Sequence, residues 1–186
     1  MKENYKNTCF KKIEEAEVYD VAIKSPLEFA KNLSKRLGNK IFLKREDLQP
    51  VFSFKLRGAY NKIAKLIKAK KIKKLVAASA GNHAQGVALA AKKLAIKACI
   101  VMPKSTPEIK IEAVKSLKAE VILYGDSYDD AYDYALKKSK SAQIEFVHPY
   151  DDLDVIAGQG TIGIEIINQI ESKPDYIFVP VGGGGL

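Results

Sequence analysis

Three short stretches of the sequence hold residue types that could act together on a small anionic carbonyl compound. The first is Ser53-Phe54-Lys55-Leu56-Arg57-Gly58. Lys55 falls where an apolar helical pattern begins, and the positive end of a helix disfavours an ammonium there. A lysine kept neutral is a nucleophile toward a carbonyl carbon. The second stretch is Ser79-Ala80-Gly81-Asn82-His83, directly after an apolar run. Gly81 permits a tight turn, and the amides that follow can open a helix and hold an anion such as a carboxylate. The Asn82 amide can bond a phenolic or carbonyl oxygen. His83 reads as a hydrogen-bonded packing residue rather than a catalytic base. The third stretch is Gly182-Gly183-Gly184-Gly185, again after an apolar run. Without Cβ atoms, successive amides can face one concavity, which suits a dianionic phosphate. The run matches neither GxGxxG nor a GK[ST] loop, so a nucleoside triphosphate is not indicated.

Each stretch alone has an ordinary reading: a surface lysine, a capped strand-to-helix turn, a flexible linker. Their joint placement at the ends of apolar runs adds up to a small phosphorylated cofactor with a carbonyl near a lysine. Pyridoxal 5'-phosphate is the obvious candidate, although spacing alone leaves a sugar phosphate open.

Strands and helices must position these groups. Short Val- and Ile-rich runs predict strands at Ile41–Leu43, Leu75–Ala78, Ala98–Met102, Glu120–Tyr124, Glu145–His148 and Tyr176–Val181. Helical periodicity fills the gaps. Pro26–Leu37 carries Leu27, Ala30, Leu33 and Leu37 on one face, and Gly38 closes it. Leu56, Ala59, Tyr60, Ile63, Leu66 and Ile67 line a second helix. Thr106, Pro107 and Glu108 read as an N-cap, a first-turn proline and an acid. Asp126 is expected to cap a helix with Tyr128, Ala131, Tyr132 and Ala135, and Ile162, Ile166 and Ile170 mark a last one. Strand–helix alternation predicts an α/β fold, a parallel twisted sheet with helices on both faces. Ligands bind at the carboxyl ends of such strands.

The bulk composition narrows the class. The chain has 186 residues, 47% of them hydrophobic, enough for a packed core in one or two domains. No apolar run approaches a membrane span, and the polar start through Lys12 does not read as a signal peptide. The expected compartment is the cytoplasm. Cys9 and Cys99 have no CxxC spacing and read as reduced thiols. With His83 and His148 the only histidines, no metal is expected. Net charge is +9, from 31 Lys and Arg against 22 Asp and Glu. The excess is assigned to helical faces through Lys62, Lys65, Lys68, Lys70, Lys71, Lys73 and Lys74, without interleaved aromatics, so nucleic acid is not expected as a partner.

Longer blocks of the sequence resemble a known family. Lys44–Asn61 resembles the cofactor-lysine segment of the biosynthetic threonine dehydratases, also called threonine ammonia-lyases. Ser79–Ala88, Val101–Lys110, His148–Asp151, Ala157–Thr161 and Val179–Leu186 are similar to further blocks of that family in the same order. The resemblance runs from about Ser25 to the last residue. Cysteine synthases typically read Ser-Xxx-Lys-Asp-Arg and Ser-Gly-Asn-Thr-Gly at the first two places, unlike this chain. The Gln49–Phe54 stretch favours the isoleucine-pathway dehydratase over serine racemases and catabolic dehydratases. Ser25 stands where the family usually has Thr, and Tyr150 where Phe is usual.

The resemblance implies the following. Lys55 would form the internal aldimine with pyridoxal 5'-phosphate, and Asn82 would bond its 3'-oxygen. Gly182, Gly183, Gly184, Gly185 and Leu186 would hold the phosphate. Ser79, Ala80 and Gly81 would receive the substrate carboxylate. The fold would be fold-type II, tryptophan synthase β-like, with a small α/β domain at about residues 53–150. That domain would be inserted into a large one built from residues 1–52 and 151–186. The activity would be L-threonine or L-serine dehydration, giving 2-oxobutanoate or pyruvate plus ammonia, in a cytoplasmic homo-oligomer without membrane or nucleic-acid partners. The family continues well beyond the position of Leu186, so the chain reads as truncated. Alone it is expected to be poorly active, low in cofactor and prone to aggregate. The rival readings are an inactive fragment, or a related racemase or β-replacement enzyme.

Overall fold

Two apolar periodicities, one of about 3.6 residues and one of 2, build most of this chain. The computed structural model describes residues 2–69, 72–141 and 143–186. Lys70 and Lys71 therefore lie outside the described residues. The chain opens with helix α1 (Lys2–Glu14), strand β1 (Leu27–Phe29), helix α2 (Lys31–Leu37), strand β2 (Phe42–Lys44) and a short 3-10 turn (Glu46–Leu48). Then come α3 (Lys55–Ala69), β3 (Lys74–Ala78), α4 (Asn82–Lys93), β4 (Lys97–Met102), α5 (Glu108–Lys115), β5 (Glu120–Leu123), α6 (Tyr128–Ser139), β6 (Ile144–Phe146) and α7 (Leu153–Gln169).

Strands β3 to β6 form one parallel sheet in the order β5-β4-β3-β6. Alternation along the strands sorts the core. Leu75, Ala77, Ile100 and Met102 share a cluster with Ala59, Ile63, Ala84, Val87 and Ile111 of α3, α4 and α5. Val76, Ala78 and Val101 face the other way, onto Ala131 and Ala135 of α6. Burial on both faces explains why these strands read as continuous apolar runs. Among the described residues, no helix is long and apolar enough to cross a membrane.

Several sequence expectations are corrected. The helix expected over Pro26–Leu37 is split, because Leu27–Phe29 pairs antiparallel with Phe42–Lys44. The strand expected near Ile41 thus belongs to a two-stranded ribbon, not to the parallel sheet. Gly38 does close α2 in the left-handed region, at φ 65°. Thr106 does not cap α5: its hydroxyl donates to the Pro103 carbonyl at 2.7 Å, and Pro107 precedes the helix. Ser127, not Asp126, caps α6, because Asp130 three residues on returns the bond and completes a capping box. Lys74 lies in β3 rather than on a helix, paired with Glu120, and Lys73 precedes that strand. Tyr176–Val181 forms no strand. A strand is defined by a partner for its backbone, and none of the described residues pairs with this run.

Candidate active site

The strand order reverses between β3 and β6. Strands β3, β4 and β5 follow one another outward, and the chain then returns to place β6 on the other side of β3. The turns after β3 and β6 therefore diverge and leave a crevice, the usual ligand position in an open parallel sheet. Ser79–His83 follows β3 and Val147–Tyr150 follows β6.

Helix α3 delivers Lys55 to that crevice from its first position. Lys55 Nζ donates to the Pro149 carbonyl at 2.8 Å. Half-burial of the amine holds its pKa below the usual lysine range, because desolvation penalises the ammonium. The start of α3 is pressed against α4: a Cβ on Gly86 would lie 2.9 Å from the Lys55 carbonyl carbon. Only a residue without a side chain allows that approach.

In the turn after β3, the Ser79 amide donates to Val101 O at 3.1 Å, and Ser79 Oγ accepts from the Gly81 amide at 3.2 Å. Gly81 directly precedes α4, Asn82 opens it with an exposed side chain, and a Cβ on Gly81 would meet nothing within 4 Å. The first amides of a helix have no intrahelical acceptor and are available to an anion. His83 is buried, and its Nε2 donates to Val147 O at 2.9 Å. A carbonyl only accepts, so the proton is on Nε2 and Nδ1 carries a lone pair. Burial pushes the His83 pKa down to about 4; the Val147 bond opposes this and the Lys55 charge adds to it. His83 is thus neutral, as a packing histidine should be.

The segment after β6 gathers these contacts. The Val147 amide donates to Val76 O, Val147 O accepts from His83, and Pro149 O accepts from Lys55. His148 Nδ1 accepts from the Tyr150 and Asp151 amides at 3.3 and 2.7 Å. Burial lowers the His148 pKa as well. The glycine run folds back onto the next residue: a Cβ on Gly183 would lie 2.3 Å from Tyr150 Cδ1, and one on Gly185 2.7 Å from Tyr150 Cα. Gly184 sits at φ +79°. Gly182 and Gly184 face open space, while Leu186 is partly exposed. Lys55 and the glycine run thus meet on one short segment, although the run follows no strand.

The residues fit an anionic carbonyl cofactor on three counts. The half-buried amine is disposed toward its neutral form. At Gly183 and Gly185 a Cβ would collide with Tyr150, so the run lies close against that segment only as glycine. The buried Ser53 hydroxyl, which can donate, has no partner among the described residues.

Sequence reasoning missed the Pro149 carbonyl, the His83–Val147 bond and a buried ion network behind Lys55. Arg57 is fully buried and bonds Glu46 and Glu165. Burial opposes the Arg57 charge, but the two carboxylates outweigh it and raise its pKa. Glu165 stays below the usual carboxylate range although burial alone would raise it, because Arg57 and Lys44 bond it. The arginine two residues after the lysine was the only local signal.

Comparison with known proteins adds the following. Residues 18–186 match the family model described as "Pyridoxal-phosphate dependent enzyme". The chain is 59% identical over 169 residues to the biosynthetic chloroplastic threonine dehydratase of Arabidopsis thaliana, covering 91% of this chain and 28% of that protein. The solved processed form of threonine deaminase isoform 2 from Solanum lycopersicum superposes with a TM-score of 0.84 at 51% identity, over 89% of this chain and 46% of that one. Maize serine racemase superposes with a TM-score of 0.81 at 32% identity, over 86% of this chain and 49% of that one.

Proposed function

Because the chain belongs to the pyridoxal-phosphate-dependent enzyme family, we propose that it supplies the lysine-bearing part of a threonine/serine dehydratase. That enzyme would convert L-threonine to 2-oxobutanoate and ammonia on the way to isoleucine. The observation that carries the proposal is the half-buried Lys55 amine in the crevice between β3 and β6, on the same segment as the glycine run. The greater identity to threonine dehydratase and deaminase than to serine racemase supports the substrate class.

Pyridoxal 5'-phosphate, when bound, supplies an electron sink for charge developed at the substrate Cα. The chain's own residues do the rest. Lys55 would hold the cofactor through its carbonyl carbon, and its Nζ would take the Cα proton, for which the neutral amine is required. Asn82 would bond the ring 3'-oxygen. Gly182, Gly183, Gly184, Gly185 and Leu186 would offer their amides to the phosphate, and Ser79, Ala80 and Gly81 would receive the substrate carboxylate. We place the small α/β domain at about residues 53–150 and the remainder in a larger domain. The working enzyme would be a cytoplasmic homo-oligomer.

The test is borohydride fixation of pyridoxal 5'-phosphate on the chain, followed by peptide mass analysis. The adduct is expected on Lys55 and lost in Lys55→Ala; an adduct on Lys44 would sink the assignment. Gly183→Val and Gly184→Val should weaken cofactor affinity without moving the adduct. In a full-length or complemented form given L-threonine, 2-oxobutanoate is the expected product, and D-amino acid without it would favour a racemase.

A further inference from the structure

The block Ala157–Thr161 has no role in the function just proposed, yet it lies against the helix that carries Lys55. The Gly58 amide donates to Gln159 Oε1 at 3.0 Å. A Cβ on Gly158 would lie 2.6 Å from Gly58 Cα, and a Cβ on Gly58 would lie 2.6 Å from Val155 O. Helices α3 and α7 therefore cross at backbone contact beside Lys55. Arg57 locks this crossing. Its Nη1 donates to Thr161 Oγ1 at 3.0 Å and to Glu165 Oε1 at 2.7 Å. Its Nε and Nη2 donate to the two oxygens of Glu46, both at 2.8 Å. Nη2 also reaches Glu165 Oε2 and Ile23 O, each at 3.1 Å. Lys44 Nζ closes the network on Glu165 Oε2 at 2.6 Å. Two cations and two carboxylates leave no net charge in the cluster.

In an α-helix, residues two apart point about 200° from each other. Arg57 therefore grips α7 and the 3-10 turn on one side of the first turn of α3 while Lys55 reaches Pro149 on the other. A buried ion network is weak evidence for stability, since apolar replacements of equal volume often fold as well. What a planar arginine fork adds is fixed geometry. We propose that Arg57, seated on Gln159, Thr161, Glu165 and Glu46, is a positioning residue that aims the Lys55 amine into the crevice. The inference rests on Lys55 being the cofactor lysine. In the step it serves, the amine nitrogen adds to the aldehyde carbon, and both N–H hydrogens leave with the carbonyl oxygen as water.

The experiment measures the rate of borohydride-fixable adduct formation on Lys55 of the whole chain with excess pyridoxal 5'-phosphate. Far-UV circular dichroism is followed in parallel, with competition by inorganic phosphate. Two variants are compared: Arg57→Lys, which keeps the charge without the fork, and the triple variant Arg57→Met, Glu46→Gln, Glu165→Gln, which removes the guanidinium together with both carboxylates it bonds and leaves Lys44 beside a neutral amide. Both are expected to keep the native spectrum and phosphate competition within about twofold, while adduct formation slows by about tenfold or more, as misplacement of a reacting group by an ångström does. Wild-type adduct rates in a folded triple variant would overturn the proposal. So would failure of both variants to fold, which would assign the network to stability alone. Lys55→Ala is the control: an adduct that persists there removes the functional reading itself, a result distinct from either outcome above.

Discussion

The first turn of α3 and the run Tyr176–Val181 are both apolar stretches beside a functional motif, and they end in opposite conditions. Around α3, Leu56, Arg57, Ala59 and Ile63 are fully buried. Tyr176, Phe178 and Val181 are 81%, 93% and 81% exposed. Apolar content does not separate the two. At the start of α3, the Arg57 guanidinium and the Gly58 amide meet named partners from α7 and the 3-10 turn, whereas no backbone in the described residues pairs with the later run. Order here follows satisfied polar groups as much as buried apolar area.

The strongest way to break that comparison is to orphan the charges behind α3. Arg57→Met alone takes the guanidinium from the largely buried Glu46 and leaves Glu165 with Lys44 as its cation. Removing one partner of a buried pair costs about 3–5 kcal/mol, a large part of a small domain's stability. Chemical denaturation of the chain should show a loss of that size, larger than that of the triple variant in which both carboxylates are neutral as well. Equal losses would mean that the carboxylates are not confined as the geometry requires.

The second prediction uses pH. His83 has a folded pKa of about 4 against an ordinary 6.5. Between those values the unfolded chain binds a proton that the folded chain does not, so falling pH favours unfolding. From pH 7 to 5 this amounts to about 2 kcal/mol, before most carboxylates titrate. His148 shifts in the same direction. His83→Gln keeps a donor for Val147 O and should flatten the profile by its share. An unchanged slope would show that His83 is not held neutral.

Much of this was legible in the sequence, for physical reasons. The runs at Leu75 and Ala98 became β3 and β4 because burial on both faces needs only local apolar residues. The start of α3 at Lys55 and of α4 at Asn82 follow from helical periodicity and turn chemistry. What was missed depends on distant partners. Strand β1 is three residues long and exists through its pairing with β2. Glu165 is 108 residues from Arg57. The acceptor of Lys55 is a backbone carbonyl, which no residue type announces. The error at α6 was local: Ser127-Tyr128-Asp129-Asp130 is a capping-box spacing, and the acid at its end favours Ser127 over Asp126.

That cap gives a smaller test, on an element covering the opposite face of the sheet from α3. Ser127 Oγ accepts from the Asp130 amide at 3.1 Å, and Asp130 accepts from the Ser127 amide at 3.0 Å. Ser127→Ala should cost about 1 kcal/mol, the usual value of an N-cap. Chemical denaturation measures it, and a loss as large as that of Arg57→Met would dissolve the ranking.

The smallest effect is expected in the exposed run. Phe178 presents 93% of its surface to solvent, so Phe178→Ser removes almost no buried area. Exposed substitutions away from caps, cores and strained backbone usually fall within about 0.5 kcal/mol of zero. The denaturation midpoint should stay in place, and so should the Lys55 adduct rate, because the glycine run meets Tyr150 through Gly183 and Gly185, not through this side chain. Solubility should move instead: an open apolar run with unpaired backbone can add to another chain, and a serine in its middle weakens that contact. Light scattering against concentration, with unfolding measured alongside, separates the effects. Higher solubility at constant stability is the expected pair. A stability loss above about 1 kcal/mol would show that Phe178 is covered in solution, and the contrast between the anchored turn of α3 and the open run would fail.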